Sequence, residues 1–352
     1  MQAFVYTANP ARVVFGAGTL ATLPEEVDRL GVSRVLVLST PEQKASAEAI
    51  AARLGARAAG VFAGAVMHTP VEVTEAALEV VRSIRADAGV AVGGGSTTGL
   101  AKAIALRTDL PQIVAPTTYA GSEMTPILGE TLNGRKTTQT SPKVLPEVVI
   151  YDVELTLSLP VALSVTSGVN AIAHAVEALY ARHANPVISL MAEDAIGTMA
   201  RALRGIARQP KDIEARSDAL YAAWLSGICL GSVGMALHHK LCHTLGGTFN
   251  LPHAETHTAV LPHALAYNAP AVPDAMRRIN RALGSEDAPG ALFDLASDLG
   301  ATMALQRLGM PHDGIDQAVE LALANPYWNP NELTADGLRL LLANAFDGRH
   351  PG

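Results

Sequence analysis

The amino-acid sequence predicts an α/β amino-terminal domain with a parallel, Rossmann-like sheet, followed by an all-α carboxy-terminal domain. Before Leu155, short apolar runs alternate with amphipathic helical segments, which is the pattern of βαβ units. After Leu155, long Ala- and Leu-rich stretches carry helix start and stop signals and no alternating strand pattern. A chain of 352 residues is long enough for two domains, and we place them at residues 1–157 and 158–352.

The individual elements are predicted from the spacing of apolar residues. Strand-like apolar runs cover 12–18, 34–40, 58–64, 89–96, 111–118 and 146–152. Helical periodicity covers 20–31, 41–55, 71–86 and 97–106 in the first domain, and 165–183 and 189–209 in the second. Runs this apolar are typical of strands in a parallel sheet covered on both faces. We interpret residues 133–143 as a loop and the strand ending at Asp152 as the last one.

Composition and charge argue against several classes of partner. The net charge is −7 and no dense Lys/Arg run occurs, so nucleic acid is not expected as the main partner. The amino terminus carries no export signal, and we expect a cytoplasmic protein. The uncharged stretch Ala219–Leu237 has the length of a membrane span, but its glycine, serine and cysteine content favours a buried helix, and we expect no membrane association. Cys229 and Cys242 are predicted to be buried thiols in a reducing compartment.

A glycine turn between a predicted strand and a predicted helix indicates a nucleotide site. Gly94 and Gly95 let a phosphate group approach the backbone, Ser96 can donate its hydroxyl, and the following helix presents an electropositive amino terminus. Such a turn is structural about as often as it is functional. It gains weight because Thr117 and Thr118 follow the next predicted strand and would lie at the same carboxyl edge, where open α/β folds bind nucleotides.

The predicted strand 34–40 ends at Thr40, which we also assign to the cofactor site. Sites that are specific for NAD commonly place an acid near such a strand end, where it binds the ribose 2′-hydroxyl and repels the 2′-phosphate of NADP. No acid stands at this strand end, and Glu42 is the nearest one. We therefore expect weak discrimination between NADH and NADPH.

Histidines and one asparagine form the candidate catalytic cluster. Six of the eleven histidines fall within one short stretch of the second domain, and imidazole is suited both to bind a metal ion and to move protons near neutral pH. His239 and His243 are spaced i, i+4 and share one helix face, and a turn after them brings His253 back into reach. Asn170 and His174 have the same spacing in an earlier helix.

These motifs together resemble the iron-containing alcohol dehydrogenase superfamily, also called group III dehydrogenases. The matching segments, in chain order, are GGGS, PTT, GSEMT, DVELTLSLP, GVNAIAHAVE, HKLCHTLGG and LPHA, and they span nearly the whole chain. Within the superfamily the sequence is most similar to maleylacetate reductases, on the segments GGGSTTGLAKA, PTTYAGSEMTPILGET, GVNAIAHAVEALYA and NPYWNP. The resemblance also implies a homodimer.

The resemblance implies where the superfamily's metal ligands fall in this chain. They correspond to Asn170, His174, His239 and His253, so an asparagine stands where the superfamily has an aspartate. An amide offers only a neutral oxygen, whereas a carboxylate brings charge to a divalent ion. We therefore expect a site that works without a metal, with Asn170 contributing to substrate binding. The other histidines of this stretch are interpreted as core or surface residues with satisfied ring nitrogens: His238, His257 and His263.

The resemblance further implies the reaction. Maleylacetate reductases convert 2-maleylacetate to 3-oxoadipate with NADH or NADPH, by hydride transfer to a C=C bond conjugated with a ketone, in the breakdown of aromatic compounds. An enone accepts hydride more readily than an isolated carbonyl, so imidazole donors can take over from a Lewis acid. His243 matches the superfamily histidine near the nicotinamide and is the expected proton donor. The further catalytic residues are His174, His239 and His253.

The remaining site residues also come from matched segments. Lys136 matches a superfamily lysine near the cofactor ribose, and Thr125 closes the GSEMT segment on the cofactor side. Tyr119 and Tyr327 are expected to contact the substrate, a small dicarboxylate. Two rival hypotheses stay open. The first is a metal-dependent alcohol or polyol dehydrogenase of the same superfamily, and the second is a non-catalytic nucleotide-binding protein.

Overall fold

A computed structural model describes residues 4–9, 11–132 and 135–351 of the chain. The chain divides into two compact units. The first comprises Ala8–Leu159, and the second comprises Pro160–Gly352 together with the described residues 4–7. The first unit has α/β structure and the second is helical in its described part, so the predicted fold class is confirmed.

The α/β unit contains eight strands among its described residues. Their bounds are β1 Arg12–Gly16, β2 Val35–Leu38, β3 Ala58–Phe62, β4 Ala88–Gly93, β5 Gln112–Pro116, β6 Ile127–Leu132, β7 Arg135–Thr140 and β8 Val148–Asp152. Six of them form one sheet in the order β1-β8-β5-β4-β2-β3, and every neighbouring pair in it is parallel. The parallel sheet predicted from the sequence is therefore confirmed.

Four helices cover the two faces of this sheet. They are α1 Leu23–Arg29, α2 Lys44–Leu54, α3 Val71–Ile84 and α4 Gly95–Thr108. Strand β2 shows how the layers are built, because Val35 and Val37 pack into one core with α1 and α2. Leu36 and Leu38 pack into another core with α3 and α4. Burial on both faces explains why the strands have continuous apolar runs instead of alternation.

The hairpin formed by β6 and β7 was not predicted. Its two strands pair antiparallel, from Ile127 opposite Thr140 to Leu132 opposite Arg135. The interpretation of residues 133–143 as a loop is therefore wrong for 135–140, while residues 133 and 134 lie outside the described residues. The β7 sequence is polar throughout, and residues 137–140 are exposed, so it lacks the apolar period by which strands are predicted. Its hydrogen bonds to β6 hold it in a separate two-stranded sheet instead.

The second unit is built from nine further helices in its described part. They are α5 Val161–Tyr180, α6 Pro186–Arg208, α7 Ile213–Val233, α8 Leu237–Phe249, α9 His253–Asn268, α10 Pro273–Leu283, α11 Ala288–Asp298, α12 Gly314–Ala324 and α13 Ala335–Asp347. Helices α5, α6 and α7 pack against one another, and α9 lies against α5, α8, α11 and α13. Helix α5 is buried from Ser164 to Tyr180, so its polar side chains lie inside the protein.

The break between α7 and α8 sets the direction of the histidine-rich helix. Gly234 has a φ of +86°, a conformation that L side chains rarely adopt. The two helices are bent by 97° at this break. Among the described residues no single helix has both the length and the hydropathy of a membrane span, although α7 and α8 reach them when taken together.

Candidate active site

Three loops meet at the carboxyl edge of the parallel sheet. Strands β5, β4 and β2 are neighbours, and the loops that follow them are joined by hydrogen bonds. Gln43 Nε2, after β2, donates to Thr117 Oγ1, after β5, over 3.2 Å. The Thr117 amide in turn donates to the carbonyl of Gly93 at the end of β4, over 3.0 Å. The loops in which we predicted the cofactor residues therefore lie together at this edge.

The glycine turn is open toward the amino terminus of α4. A Cβ on Gly95, the first residue of the helix, would meet nothing within 4 Å. A Cβ on Gly94 would lie 2.9 Å from Thr118 Cγ2, and one on Gly93, where φ is +157°, would lie 2.4 Å from Thr97 Oγ1. Glycine is thus required at 93 and 94 for packing, while position 95 leaves the helix amino terminus accessible to a phosphate group.

The other predicted cofactor residues have varied environments. Thr40 follows β2. The backbone amide of Glu42, and after it a hydrogen bond from Thr40, lower the pKa of the Glu42 carboxyl group. The Thr125 hydroxyl is already engaged, because it accepts from Lys102 Nζ over 3.0 Å and donates to the carbonyl of Ser122 over 3.0 Å. Lys136 belongs to β7, and its side chain lies outside the described residues.

The helical unit brings the predicted catalytic histidines together. His174 on α5 lies against His239 on α8, with ring centroids 5.0 Å apart. His253, the first residue of α9, contacts His257, whose ring lies 5.1 Å from that of His239. Burial holds the pKa of His174 well below its usual range, and the nearby His239 and His253 lower it further. Asn170 lies one turn before His174 on α5 and is also buried.

A fully buried carboxylate, that of Glu177, holds this cluster in place. One oxygen accepts hydrogen bonds from His239 Nδ1 and from the Ala236 amide, each over 2.7 Å. The other oxygen accepts from the His238 amide, also over 2.7 Å. The carboxylate thus caps the amino terminus of α8, where a negative charge is favourable. In the tautomer that donates to Glu177 through Nδ1 alone, His239 Nε2 carries a lone pair.

Several buried polar atoms around this point have no hydrogen-bond partner among the described residues. They are Asn170 Oδ1, His174 Nδ1, His174 Nε2 and His239 Nε2. Buried polar atoms are normally paired, so a group of unpartnered ones indicates a place where a ligand binds. With the ring of His253, the donor set is three imidazoles and one amide oxygen. Imidazole nitrogens and an amide oxygen are donor types that a divalent ion accepts, and the His239–Glu177 contact is the carboxylate–histidine pair that often supports a metal ligand.

His243 lies at the edge of the cluster and is partly exposed. Its ring centroid is 6.0 Å from that of His239, and its Nδ1 lies 3.0 Å from the hydroxyl of Tyr327. Lys240 Nζ lies 5.7 Å from the centroid of the Tyr327 ring. Two predicted residues, His243 and Tyr327, are thus in direct contact. Tyr119, predicted to contact substrate, belongs to the α/β unit and is fully buried.

A second layer of histidines supports the first. His238 and His257 are fully buried, and His238 Nε2 lies 3.0 Å from His257 Nδ1. Cys242 Sγ lies 3.7 Å from the same His238 nitrogen. Of the two locations expected from the sequence, core or surface, the structure gives the core, and the expectation that all their nitrogens are satisfied is wrong. His238 Nδ1, His257 Nε2 and His263 Nε2 have no partner within the described residues.

Two residues that organise the site were not predicted from the sequence. Glu177 stands in the apolar helix segment NAIAHAVEALY, and a lone acid there is a signal, since buried acids are rare unless paired. Its partners lie some sixty positions further along the chain, so no local pattern identified them. Gln43 left no signal, because a glutamine after a strand is ordinary surface composition.

Comparison with known proteins gives the family. Residues 10–153 match the family described as iron-containing alcohol dehydrogenase, and residues 164–346 match its carboxy-terminal domain. The chain belongs to the iron-containing alcohol dehydrogenase family. The resemblance read from the motifs is thus confirmed, and the matched ranges include both the glycine turn and the histidine cluster.

Within this family the chain has close relatives with a narrower name. It is 58% identical to a maleylacetate reductase of Rhizobium sp. strain MTP-10005, and the match covers 100% of both chains. A crystal structure of maleylacetate reductase from Agrobacterium tumefaciens shares 58% identity and a TM-score of 0.96, covering 99% of this chain and 100% of that one. A structure of an iron-containing alcohol dehydrogenase from Corynebacterium glutamicum ATCC 13032 shares 43% identity and has a TM-score of 0.95. The match covers 100% of this chain and 99% of that one.

The family match bears on the metal prediction. The family is named for iron, and the unpartnered nitrogens of His174 and His239 are free to bind a cation. Neither fact supports the expectation of a metal-free site. That expectation, which depends on the neutral amide of Asn170, stays a prediction.

Proposed function

We propose that this protein reduces 2-maleylacetate to 3-oxoadipate, with NADH or NADPH as the hydride donor. The observation that carries the proposal is the group of unpartnered buried atoms of Asn170, His174 and His239. They are candidate binding groups for a polar ligand in a chain whose 58% identical relatives are maleylacetate reductases. The glycine turn and Thr117 supply the proposed nucleotide site, since they combine an open helix amino terminus with hydroxyl donors.

The reaction needs one hydride and one proton. The hydride from the reduced nicotinamide adds to the alkene carbon that is β to the ketone, which leaves an enolate with its charge on oxygen. A proton then reaches the carbon next to the ketone, and the products are 3-oxoadipate and the oxidised cofactor. The protein therefore has to stabilise an oxyanion and deliver a proton.

His243 is the proposed source of the proton. When the Tyr327 hydroxyl donates to His243 Nδ1, across 3.0 Å, the proton of the neutral ring lies on Nε2. The partial exposure of His243 allows the ring to be reprotonated from water after each turnover. We assign Tyr327 the task of fixing this tautomer. Lys240, beside Tyr327, is a suitable cation for one substrate carboxylate.

His174 and Asn170 are the proposed groups that bind the substrate oxygen. The pKa of His174 is lowered by burial, so its ring stays neutral and donates a hydrogen bond through one nitrogen. The Asn170 amide adds either a donor or an acceptor, according to its orientation. In this arrangement the developing enolate is stabilised by hydrogen bonds and needs no full positive charge.

The same residues would hold a divalent ion if one binds, and this supports a second candidate function. Asn170, His174, His239 and His253 would be its ligands, and His239 would bind through the Nε2 lone pair that Glu177 leaves available. A divalent ion there supplies Lewis-acid polarisation of a substrate oxygen. A metal-dependent alcohol or polyol dehydrogenase is therefore the alternative that the unpartnered nitrogens favour.

The choice of cofactor follows from the end of β2. Glu42 is the acid nearest to this strand end, and its carboxylate is engaged by Thr40 and by its own backbone amide. We propose that it repels the 2′-phosphate of NADPH only weakly, so that both cofactors are used. Titration of wild-type protein with NADH and NADPH tests this, and a preference above about a hundredfold, roughly 2.7 kcal/mol, would reject it.

We further propose that the enzyme is a cytoplasmic homodimer. The thiols of Cys229 and Cys242 are buried and form no disulfide among the described residues, which suits a reducing compartment, and burial raises the pKa of Cys229 to about 12. The family resemblance supports the dimer. Light scattering of the purified chain measures its mass directly, and a monomer at micromolar concentration would contradict the assignment.

One assay tests the proposed reaction. Purified protein is given NADH with 2-maleylacetate, and separately with a panel of simple alcohols, aldehydes and ketones. Rapid oxidation of NADH with maleylacetate and slow reaction with the panel is the expected result. The reverse order of activities would favour the alcohol dehydrogenase, and NADH binding without any turnover would favour a non-catalytic nucleotide-binding protein.

A further inference from the structure

A lysine is fully buried beneath the loop that follows β5. Lys102 lies on α4 seven residues after Gly95, so the two residues are two turns apart on the same side of the helix. Its Nζ lies close to four oxygens, which are the carbonyls of Ser122 at 2.5 Å, Thr125 at 2.7 Å and Ile127 at 2.9 Å, and the Thr125 hydroxyl at 3.0 Å. One side chain on the helix thus binds three residues of the loop.

An opposite charge lies in the same loop. Glu123 is buried, and its carboxylate accepts a hydrogen bond from the hydroxyl of Tyr151 on β8, over 2.8 Å. Burial lowers the pKa of Lys102 to about 7, and the negative charge of Glu123 opposes that shift. Burying a charged amine is costly unless its donors are used and its charge is opposed. Here four oxygens use its donors. Burial raises the pKa of Glu123, and the charge of Lys102 opposes that shift.

These contacts fix both ends of one loop. At the first end, Thr118 lies against Gly94, where a Cβ would approach within 2.9 Å. At the other end, Lys102 holds the residues up to Ile127, where β6 begins. The middle is fastened to β8 through Tyr151. A loop held only by its neighbours in sequence would leave the position of its threonines undetermined.

We infer that Lys102 is a positioning residue for the cofactor site, holding residues 122–127 against α4 so that Thr117 and Thr118 stay beside the glycine turn. The inference rests on the nicotinamide site proposed above. Because its ammonium group is buried and engaged by loop oxygens, Lys102 acts through the loop and not by touching the cofactor. Its loss is therefore expected to weaken cofactor binding more than the chemical step.

The first test compares Lys102→Met with Lys143→Met. Lys143 is an exposed lysine of the same unit that pairs with Asp109, so it receives the same chemical change at the surface. For Lys102→Met we expect the Kd and KM for NADH to rise roughly tenfold to a hundredfold, while kcat at saturating NADH changes less than about threefold. Lys143→Met is expected to match wild type. Unchanged NADH affinity in folded Lys102→Met would overturn the inference.

The second test does not require Lys102→Met to fold. Tyr151→Phe removes only the hydroxyl that holds Glu123, and we expect its Kd for NADH to rise about twofold to fivefold, which is below 1 kcal/mol. Amide hydrogen exchange without cofactor is expected to be faster over residues 117–132 in this variant than in wild type. Wild-type exchange and wild-type affinity in Tyr151→Phe would contradict the anchoring role.

The outcomes separate this inference from the proposed function. A wild-type protein that binds NADH but does not reduce maleylacetate overturns the proposed reaction and leaves the role of Lys102 standing. A wild-type protein that reduces maleylacetate, with variants that keep wild-type affinity and exchange, overturns the inference alone. A wild-type protein that binds neither NADH nor NADPH overturns both.

Discussion

The carboxylate of Glu177 lies 2.7 Å from Nδ1 of His239, and it also accepts hydrogen bonds from two backbone amides at the start of α8. One buried acid therefore both begins the histidine-rich helix and orients its first site histidine. The lone pair of His239 Nε2 is left in the cluster, where Asn170 and His174 also have unpartnered atoms. This contact links the fold of the helical unit to its proposed chemistry.

Glu177→Gln is expected to destabilise the protein. The glutamine side chain has one acceptor oxygen for the three donors that Glu177 now satisfies, so at least one buried donor loses its partner. The expected loss in the free energy of unfolding is about 1–3 kcal/mol, measured by urea denaturation. Glu320→Gln, at an exposed position of α12, is the matched control. Equal stability of Glu177→Gln and wild type would show that the carboxylate is not needed.

His243→Ala is expected to lower kcat with maleylacetate by about 10²–10⁴, the usual contribution of a positioned general acid. Tyr327→Phe keeps His243 and removes only the hydroxyl at its Nδ1, so a smaller loss of about tenfold is expected if the hydroxyl sets the tautomer. Steady-state rates at saturating NADH measure both effects. Near wild-type kcat in His243→Ala would remove this histidine from the mechanism.

Asn170→Asp is expected to increase the affinity for a divalent cation. The change places a carboxylate among three imidazoles, and charge is what the neutral amide does not supply to such an ion. Calorimetric titration of the metal-depleted proteins with Zn²⁺ measures the difference. In the Asn170→Asp background, His174→Ala is expected to abolish the gain. No difference in affinity between Asn170→Asp and wild type would show that the amide does not determine metal binding.

His263 predicts a specific pH dependence of stability. Burial lowers its pKa to about 4 in the folded protein, compared with an ordinary value near 6.5. Below pH 6.5 the unfolded chain binds a proton that the folded protein does not, so stability falls by about 1.4 kcal/mol per pH unit until pH 4 is reached. This contribution is constant above pH 6.5.

Variants of two histidines test this pH dependence. His263→Gln removes the pH-dependent contribution of His263 to the free energy of unfolding. The stability of the variant relative to wild type should therefore rise as the pH falls from 6.5 to 4. His183→Gln, at an exposed position, is the control. Parallel curves for His263→Gln and wild type would contradict the assignment.

The sequence was sufficient to predict elements whose residues bury apolar side chains. Strands such as β2, with Val35–Leu38 buried on both faces, follow directly from their composition. The polar strand β7 does not, because its stability comes from pairing with β6, and pairing leaves no local mark in the sequence. The i, i+4 spacings placed His174 next to Asn170 and His243 next to His239 correctly, since helix geometry is local.

Contacts distant in the sequence set the limit of prediction at the site. Glu177 on α5 and His239 on α8 are brought together by the packing of different helices, and no periodicity encodes such a pair. The same holds for Lys102 and its loop. Glu177 and Lys102 are each a single charged residue within an apolar helical segment. That placement was the signal available in the sequence that a buried charge needed polar partners.

The most direct test of the account is turnover of maleylacetate by enzyme freed of metal. The protein is dialysed against a strong chelator, its metal content is measured by elemental analysis, and NADH oxidation with 2-maleylacetate is followed before and after. The account predicts less than stoichiometric metal and an unchanged kcat, because Asn170 and the neutral histidines stabilise the enolate without a cation. Activity that is lost with the metal and restored by adding back one divalent ion per chain would contradict it.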